Sequence, residues 1–236
     1  MQGFETKLKV DIHDVDYNGV ARTSALMKYI QSAAQTQLTE NGMSYDELRN
    51  KNRAFILSRI KMEFTDTVRA YEPLTALSFP CNSRGYSFLR CYKLIKDGVT
   101  IGRAASVWAL VDTETRALVR VNDFDLGLDT YDPLDLPLTR IVIPGELKTV
   151  GEYRVNYADT DQNKHMNNTR YPDMYSQFLP LDGKRIESIT ISYANEAPFG
   201  DILTVESAET NGFYYFRTIR SDGKINTEAE IKLCDI

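Results

Sequence analysis

The residue types best suited to proton transfer crowd into one polar segment, Asp161-Gln162-Asn163-Lys164-His165-Met166-Asn167-Asn168. His165 is one of 2 histidines in 236 residues, so its placement is informative. Imidazole changes charge near neutral pH, and a neighbouring carboxylate or amide can orient it or a water. Downstream, the apolar run Ile191-Ser192-Tyr193-Ala194-Asn195 ends in a second carboxylate, Glu196. A histidine, carboxylates and amides just before a helix start, where backbone N–H groups are unpaired, are the parts of general acid–base hydrolysis.

The same segment has a partner in the first half. Asp14, Asp16 and Asn18 fall on Asp159, Asp161 and Asn163 at an offset of 145 (159 − 14). At that offset Val20 stands where the second copy has His165. Aligning the later strands at an offset of 129 (193 − 64) sets Thr67 against Glu196. Both candidate acid–base groups therefore occur in the second copy alone. Taken by itself, D-x-D-x-N is also a turn whose side chains bond nearby backbone N–H groups and cap a helix. Calcium is rejected: the bidentate glutamate of an EF-hand loop would fall on Ala25 or Arg170. With 2 histidines and 3 cysteines (Cys81, Cys91, Cys234), none in a CxxC, no metal site is expected. No cofactor is expected either.

The elements that must position these groups also repeat. Leu8, Val10, Ile12 and Tyr153, Val155, Tyr157 alternate as half-buried strands before each motif. After the first motif, Leu26, Ile30, Ala33, Ala34 and Leu38 follow helical spacing up to Asn41-Gly42. After the second, Tyr171, Met174, Tyr175 and Phe178 predict a helix that begins near Asn167 to Thr169 and ends at Pro180. Strand-like runs follow in each half, and Asp97-Gly98 and Asp222-Gly223 mark hairpins. One helix laid on each antiparallel sheet is an α+β arrangement. Pro133, Pro137 and Pro144 mark a stiff linker. The expected organisation is residues 1–129, a linker at 130–149, and residues 150–236. The duplication suggests pseudo-twofold packing, in a monomer or a homodimer.

Composition narrows the function classes. Lys and Arg number 28 against 33 Asp and Glu, a net charge of −5, which disfavours bulk nucleic-acid binding. No apolar run approaches the roughly 18 residues of a membrane span. The start of the chain lacks a signal core. A reduced, cytoplasmic protein is expected.

The pattern Asp161-x-Asn163-x-His165-x-Asn167-Asn168 before Tyr171, with Ser192-Tyr193-x-x-Glu196, resembles the plant and bacterial acyl–acyl carrier protein thioesterases. Trp108-x-x-x-Asp112-x-x-Thr115-Arg116-x-Leu118 resembles that family's first-half signature. The resemblance spans nearly the whole chain. It implies a tandem (double) hotdog, in which each sheet wraps a central helix, and hydrolysis of fatty acyl thioesters on the carrier's phosphopantetheine arm. Asp161, Asn163, His165 and Glu196 would be the catalytic set. Water would attack the carbonyl, activated by Glu196 with His165. Asp161 and Asn163 would hold imidazole and water, and N–H groups of Asn167 to Thr169 would receive the oxyanion. A covalent route through a carboxylate stays open. Ala197 stands where many plant members carry cysteine, so no thiol nucleophile is available there. Asn167, Asn168, Met27, Ile30, Ala34 and Trp108 are the expected substrate contacts, with the first half supplying the acyl pocket. Arg84, Arg90, Lys93, Arg116 and Arg120 are candidates for docking an acidic carrier. Acyl-CoA hydrolysis and non-catalytic acyl binding are the rival readings.

Overall fold

The alternating segments fold as strands. In the computed structural model, which describes residues 3–236, the first half supplies β1 (Phe4–Lys9), β2 (Arg53–Phe64), β3 (Pro73–Pro80), β4 (Ser87–Lys96), β5 (Val99–Asp112) and β6 (Leu118–Val119). The second half supplies β7 (Lys148–Arg154), β8 (Lys184–Tyr193), β9 (Ile202–Thr210), β10 (Phe213–Ile219) and β11 (Ile225–Asp235). Both Asp-Gly pairs close hairpins. Asp97 and Gly98 take φ of 49° and 80° between β4 and β5, as a type I′ turn requires, and Gly223 (φ 82°) takes the left-handed position between β10 and β11.

The strands form one sheet in the order β1-β3-β4-β5-β2-β8-β11-β10-β9-β7, with β6 paired to β5. The halves thus join edge to edge, β2 against β8. Arg59 faces Ser192, Lys61 faces Thr190 and Glu63 faces Ser188. The central pair is separated by 129 positions (190 − 61), the offset read from the sequence, so a pseudo-twofold axis passes through it. The loop copies obey the same symmetry. Val20 bridges Arg69 as His165 bridges Pro198, and Val15 bridges Ala21 as Thr160 bridges Met166.

The helices depart from a simple duplication. α1 (Thr23–Glu40) ends at Asn41-Gly42 as its sequence predicts. α2 (Tyr45–Asn50) is an unanticipated element, although Ser44 and Glu47 form a capping box that its sequence spells out. α3 (Tyr171–Ser176) has only 6 residues and follows a 3-10 turn at Asn168–Arg170. It is shorter than expected because the chain tightens ahead of Pro180: Phe178 N–H bonds to Tyr175 O and Leu179 N–H to Ser176 O. Ile60, Met62, Ile189 and Ile191 of the joined strands are buried in one core with Met27, Ile30, Met174 and Tyr175 of the helices. Burial of each such side chain stabilises by about 1.5–3 kcal/mol. The proline-containing segment is a cover more than a spacer. Leu136 is buried against Leu77, Phe79, Cys91 and Ala105 on the outer face of the first-half sheet. Among the described residues, no helix is long and apolar enough to cross a membrane.

Candidate active site

The polar segment is a tight turn built by its own side chains. Asp161 Oδ1 accepts the Asn163 N–H at 2.8 Å, and Asp161 N–H bonds to His165 O at 3.1 Å. Lys164 takes the left-handed φ of 67° that Gly19 supplies in the first copy. Met166 N–H then bonds to Ala197 O at 2.8 Å, drawing this turn against the loop after β8. The result is a contact between the two groups singled out in the sequence: His165 Nε2 stands 3.4 Å from Glu196 Oε1. Their side chains are 24% and 59% exposed, so the pair lies at an opening. The contact is longer than an ordinary hydrogen bond.

A buried polar network supports the Glu196 turn. Asn226 is 0% exposed; its Nδ2 donates to Asn195 O at 2.5 Å and to Tyr171 Oη at 3.0 Å, and its Oδ1 accepts Thr218 Oγ1 at 2.9 Å. The Ala194 and Asn195 N–H groups bond to Asn226 O. Tyr193 Oη donates to Asn168 O at 3.0 Å and its ring meets Tyr171 edge-on. Burial pushes Tyr171 up to about 12 and Tyr193 well above the ordinary value of 10.0, so both phenols stay protonated near neutrality. Asn226 and Thr218 lie far along the chain from the motif, and no local pattern marks them.

The remaining expected residues separate into those that reach the opening and those that do not. Asn163 lines the opening, but its Oδ1 accepts Tyr45 Oη of α2 at 2.7 Å. Asp161 holds the turn; among the described residues neither it nor Asn163 bonds the imidazole, so the expected clamp on the ring is replaced by a clamp on the loop. Of the three N–H groups expected to receive an oxyanion, two are engaged. Asn167 N–H bonds to Asp159 O at 2.8 Å and Thr169 N–H to Asn167 Oδ1 at 2.9 Å, leaving the Asn168 N–H.

From this opening a cavity of about 1350 Å³ runs between the halves, past Tyr171, Ala34, Leu38, Leu57 and Trp108. Met27 and Ile30, expected along it, are 0% exposed in the core instead. Gln31, Ala34 and Leu38, spaced i, i+3, i+7, form the stripe of α1 that faces the cavity, and Met27 and Ile30 point between helix and sheet. Arg90, expected on a docking surface, is 7% exposed on the inner face of β4 and cannot serve there; Arg84, Arg116 and Arg120 are exposed and Lys93 is half-buried. Asp112 makes the first-half signature intelligible: its Oδ1 accepts the Thr115 and Glu114 N–H groups, which close the hairpin into β6. Ala197 is buried in the core and does not line the cavity. The Cys81 thiol is pushed up by its hydrogen bond with Cys91 and by burial. Among the described residues, no cluster of His, Cys, Asp or Glu could hold a metal ion.

Two helix-and-sheet halves sharing one sheet, with a histidine–carboxylate pair in one of them, define a tandem hotdog protein. Residues 1–125 match the acyl-ACP thioesterase N-terminal domain and residues 144–234 the acyl-ACP thioesterase C-terminal domain. The chain belongs to the acyl-ACP thioesterase family. It is 25% identical over 235 residues to oleoyl-acyl carrier protein thioesterase 2, chloroplastic, of Arabidopsis thaliana, covering 88% of this chain and 63% of that protein. A similar relative is the oleoyl-acyl carrier protein thioesterase of Coriandrum sativum, 25% identical over 85% of this chain and 61% of its own length. The chain thus spans less than two thirds of these curated plant relatives. The fold is shared with an acyl-ACP thioesterase from Bacteroides thetaiotaomicron (TM-score 0.85, 22% identity, 98% of this chain and 97% of that one). It is shared equally with the 12:0-ACP thioesterase from Umbellularia californica (TM-score 0.86, 16% identity, 99% and 97%).

Proposed function

We propose that this chain hydrolyses the thioester between a fatty acyl group and the phosphopantetheine arm of acyl carrier protein, releasing the free fatty acid. The observation that carries this reading is the approach of His165 Nε2 to Glu196 Oε1 at the mouth of the cavity. Volume supports a long flexible ligand, since pockets for small molecules run to about 1,000 Å³. A water between the two side chains loses a proton to Glu196 or His165 and attacks the carbonyl carbon. The Asn168 N–H receives the developing oxyanion. The C–S bond then breaks, and whichever group took the water's proton, the Glu196 carboxyl or the His165 imidazolium, returns it to the departing thiolate. Asp161 and Asn163 act as positioning residues for the loop.

On this reading residues 150–236 are the catalytic half, residues 1–129 contribute most of the acyl pocket, and 130–149 joins them. Trp108, Ala34, Asn167 and Asn168 contact substrate. A cytoplasmic, reducing setting is proposed from the three free cysteines. The test is release of free thiol from matched acyl-carrier and acyl-CoA substrates. Faster turnover of the carrier thioester is expected. Preference for CoA overturns the choice of carrier, and no release from either overturns catalysis.

A further inference from the structure

Arg90 carries a cation into the wall of the cavity. Phe88, Arg90 and Tyr92 share the inward face of β4 and all line the cavity. Arg90 is 7% exposed, and its Nη1 donates to Gln37 Oε1 of α1 and Ser78 Oγ of β3, both at 2.7 Å. Both partners are neutral. Among the described residues Arg90 forms no ion pair with a carboxylate, and its Nε and Nη2 have no protein acceptor. Its place in the sheet is far from the reacting end. Arg90 faces Ser106 of β5, Ser106 faces Ile60 of β2, and Ile60 faces Ile191 of β8. Three strand spacings of ~4.8 Å put it roughly 14 Å from β8, the strand that leads to Glu196. Leu57 and Trp108, on the strands between, line the intervening cavity.

A methyl-ended tail pressed against Nε and Nη2 would strip their remaining hydration and return no hydrogen bond. An oxygen at the tail's end would supply the missing acceptor. We propose that Arg90, held by Gln37 and Ser78, is a specificity-determining residue that forms a polar floor to the acyl cavity, stopping a plain alkyl tail and admitting one that ends in oxygen. This rests on the thioesterase reading above.

The test uses the full chain with acyl-carrier thioesters of increasing length, each ending in methyl or in hydroxyl. The wild-type rate should fall about tenfold or more per two-carbon step once a methyl end reaches the floor, and a terminal hydroxyl should restore it at that length. Arg90→Met should remove the cut-off and the hydroxyl advantage together, whereas Arg90→Lys should keep both. A folded Arg90→Met with an unchanged length profile overturns the proposal. So does a wild type that treats methyl and hydroxyl ends alike at every length, an arm that needs no variant. Absence of hydrolysis with every substrate overturns the thioesterase reading and this inference with it.

Discussion

Asn226→Leu tests whether the buried network holds the Glu196 turn. The side chains are close in volume, so the change removes hydrogen bonds more than packing. Thr218 Oγ1 keeps its contact with Thr227 Oγ1 at 2.7 Å, so it is not stranded. Tyr171 Oη and Asn195 O do lose their donor. An unsatisfied buried polar group costs about 1–3 kcal/mol, so the pair should cost about 2–6 kcal/mol, a large part of the 5–15 kcal/mol typical of a domain. The Asn195 carbonyl immediately precedes Glu196, and its release lets the carboxylate drift from His165. A displacement of about 1 Å at such a site costs up to about a hundredfold in rate. Urea denaturation gives the first number from the midpoint shift at constant slope. Thiol release, measured where the variant is fully folded, gives the second. Stability within about 1 kcal/mol of wild type would refute the network, and a destabilised variant with unchanged kcat would refute its hold on Glu196.

His165→Ala should lower kcat by about 10² to 10⁴ without unfolding the chain. Asp14→Ala, which loses only the Tyr29 Oη bond of 2.6 Å and turn contacts, should leave kcat nearly intact; equal losses would sink the one-sided site. Ala34→Leu, on the cavity stripe of α1, should shift the released fatty acids to shorter chains, read from the product profile, by a step worth roughly 1–3 kcal/mol. A variant with all three cysteines replaced should hydrolyse within a few fold of wild type once folding is checked, because Ala197 faces the core and Cys81 and Cys91 are buried. Burial raises Tyr171, Tyr175 and Tyr193 above the ordinary value of 10.0. Their contribution to stability is therefore full below pH 10.0 and is lost as pH rises toward the folded values, about 12 for Tyr171, so the denaturation midpoint should be flat through neutrality and fall in alkali.

Much of this was legible because it rests on local rules. Period-2 alternation at Ile60, Met62, Phe64 and at Ile189, Ile191, Tyr193 marks the two strands that join the halves, whereas their pairing across the 129-residue offset appears only in the fold. His165 and Glu196 stood out as asymmetries between copies, and folding brings them within 3.4 Å. What stayed hidden depends on contacts between distant segments. Nothing near Asn226 says that it will meet Tyr171, and Arg90 reads as a surface cation until β4 is seen to turn it inward. Met27 and Ile30 share helical spacing with Ala34, and only the packing of α1 decides which stripe meets the cavity.

The D-x-D-x-N turn persists in the half where Val20 and Thr67 stand at the positions of His165 and Glu196, and its contacts give the reason. Asn18 Nδ2 donates to Leu181 O at 2.7 Å and Lys184 O at 3.2 Å, and its Oδ1 accepts the Gly183 N–H at 3.3 Å. All three acceptor and donor groups belong to the other half, at the entry to β8, the strand that pairs with β2 and leads to Glu196. In the second copy Asn163 reaches across in the opposite sense, to Tyr45. Each asparagine is thus a clamp between halves, set by the Asx bond of the aspartate before it: Asp16 to Asn18 N–H at 2.9 Å, Asp161 to Asn163 N–H at 2.8 Å. Docking the halves uses the turn twice, whereas the histidine and the glutamate stand in the second copy alone.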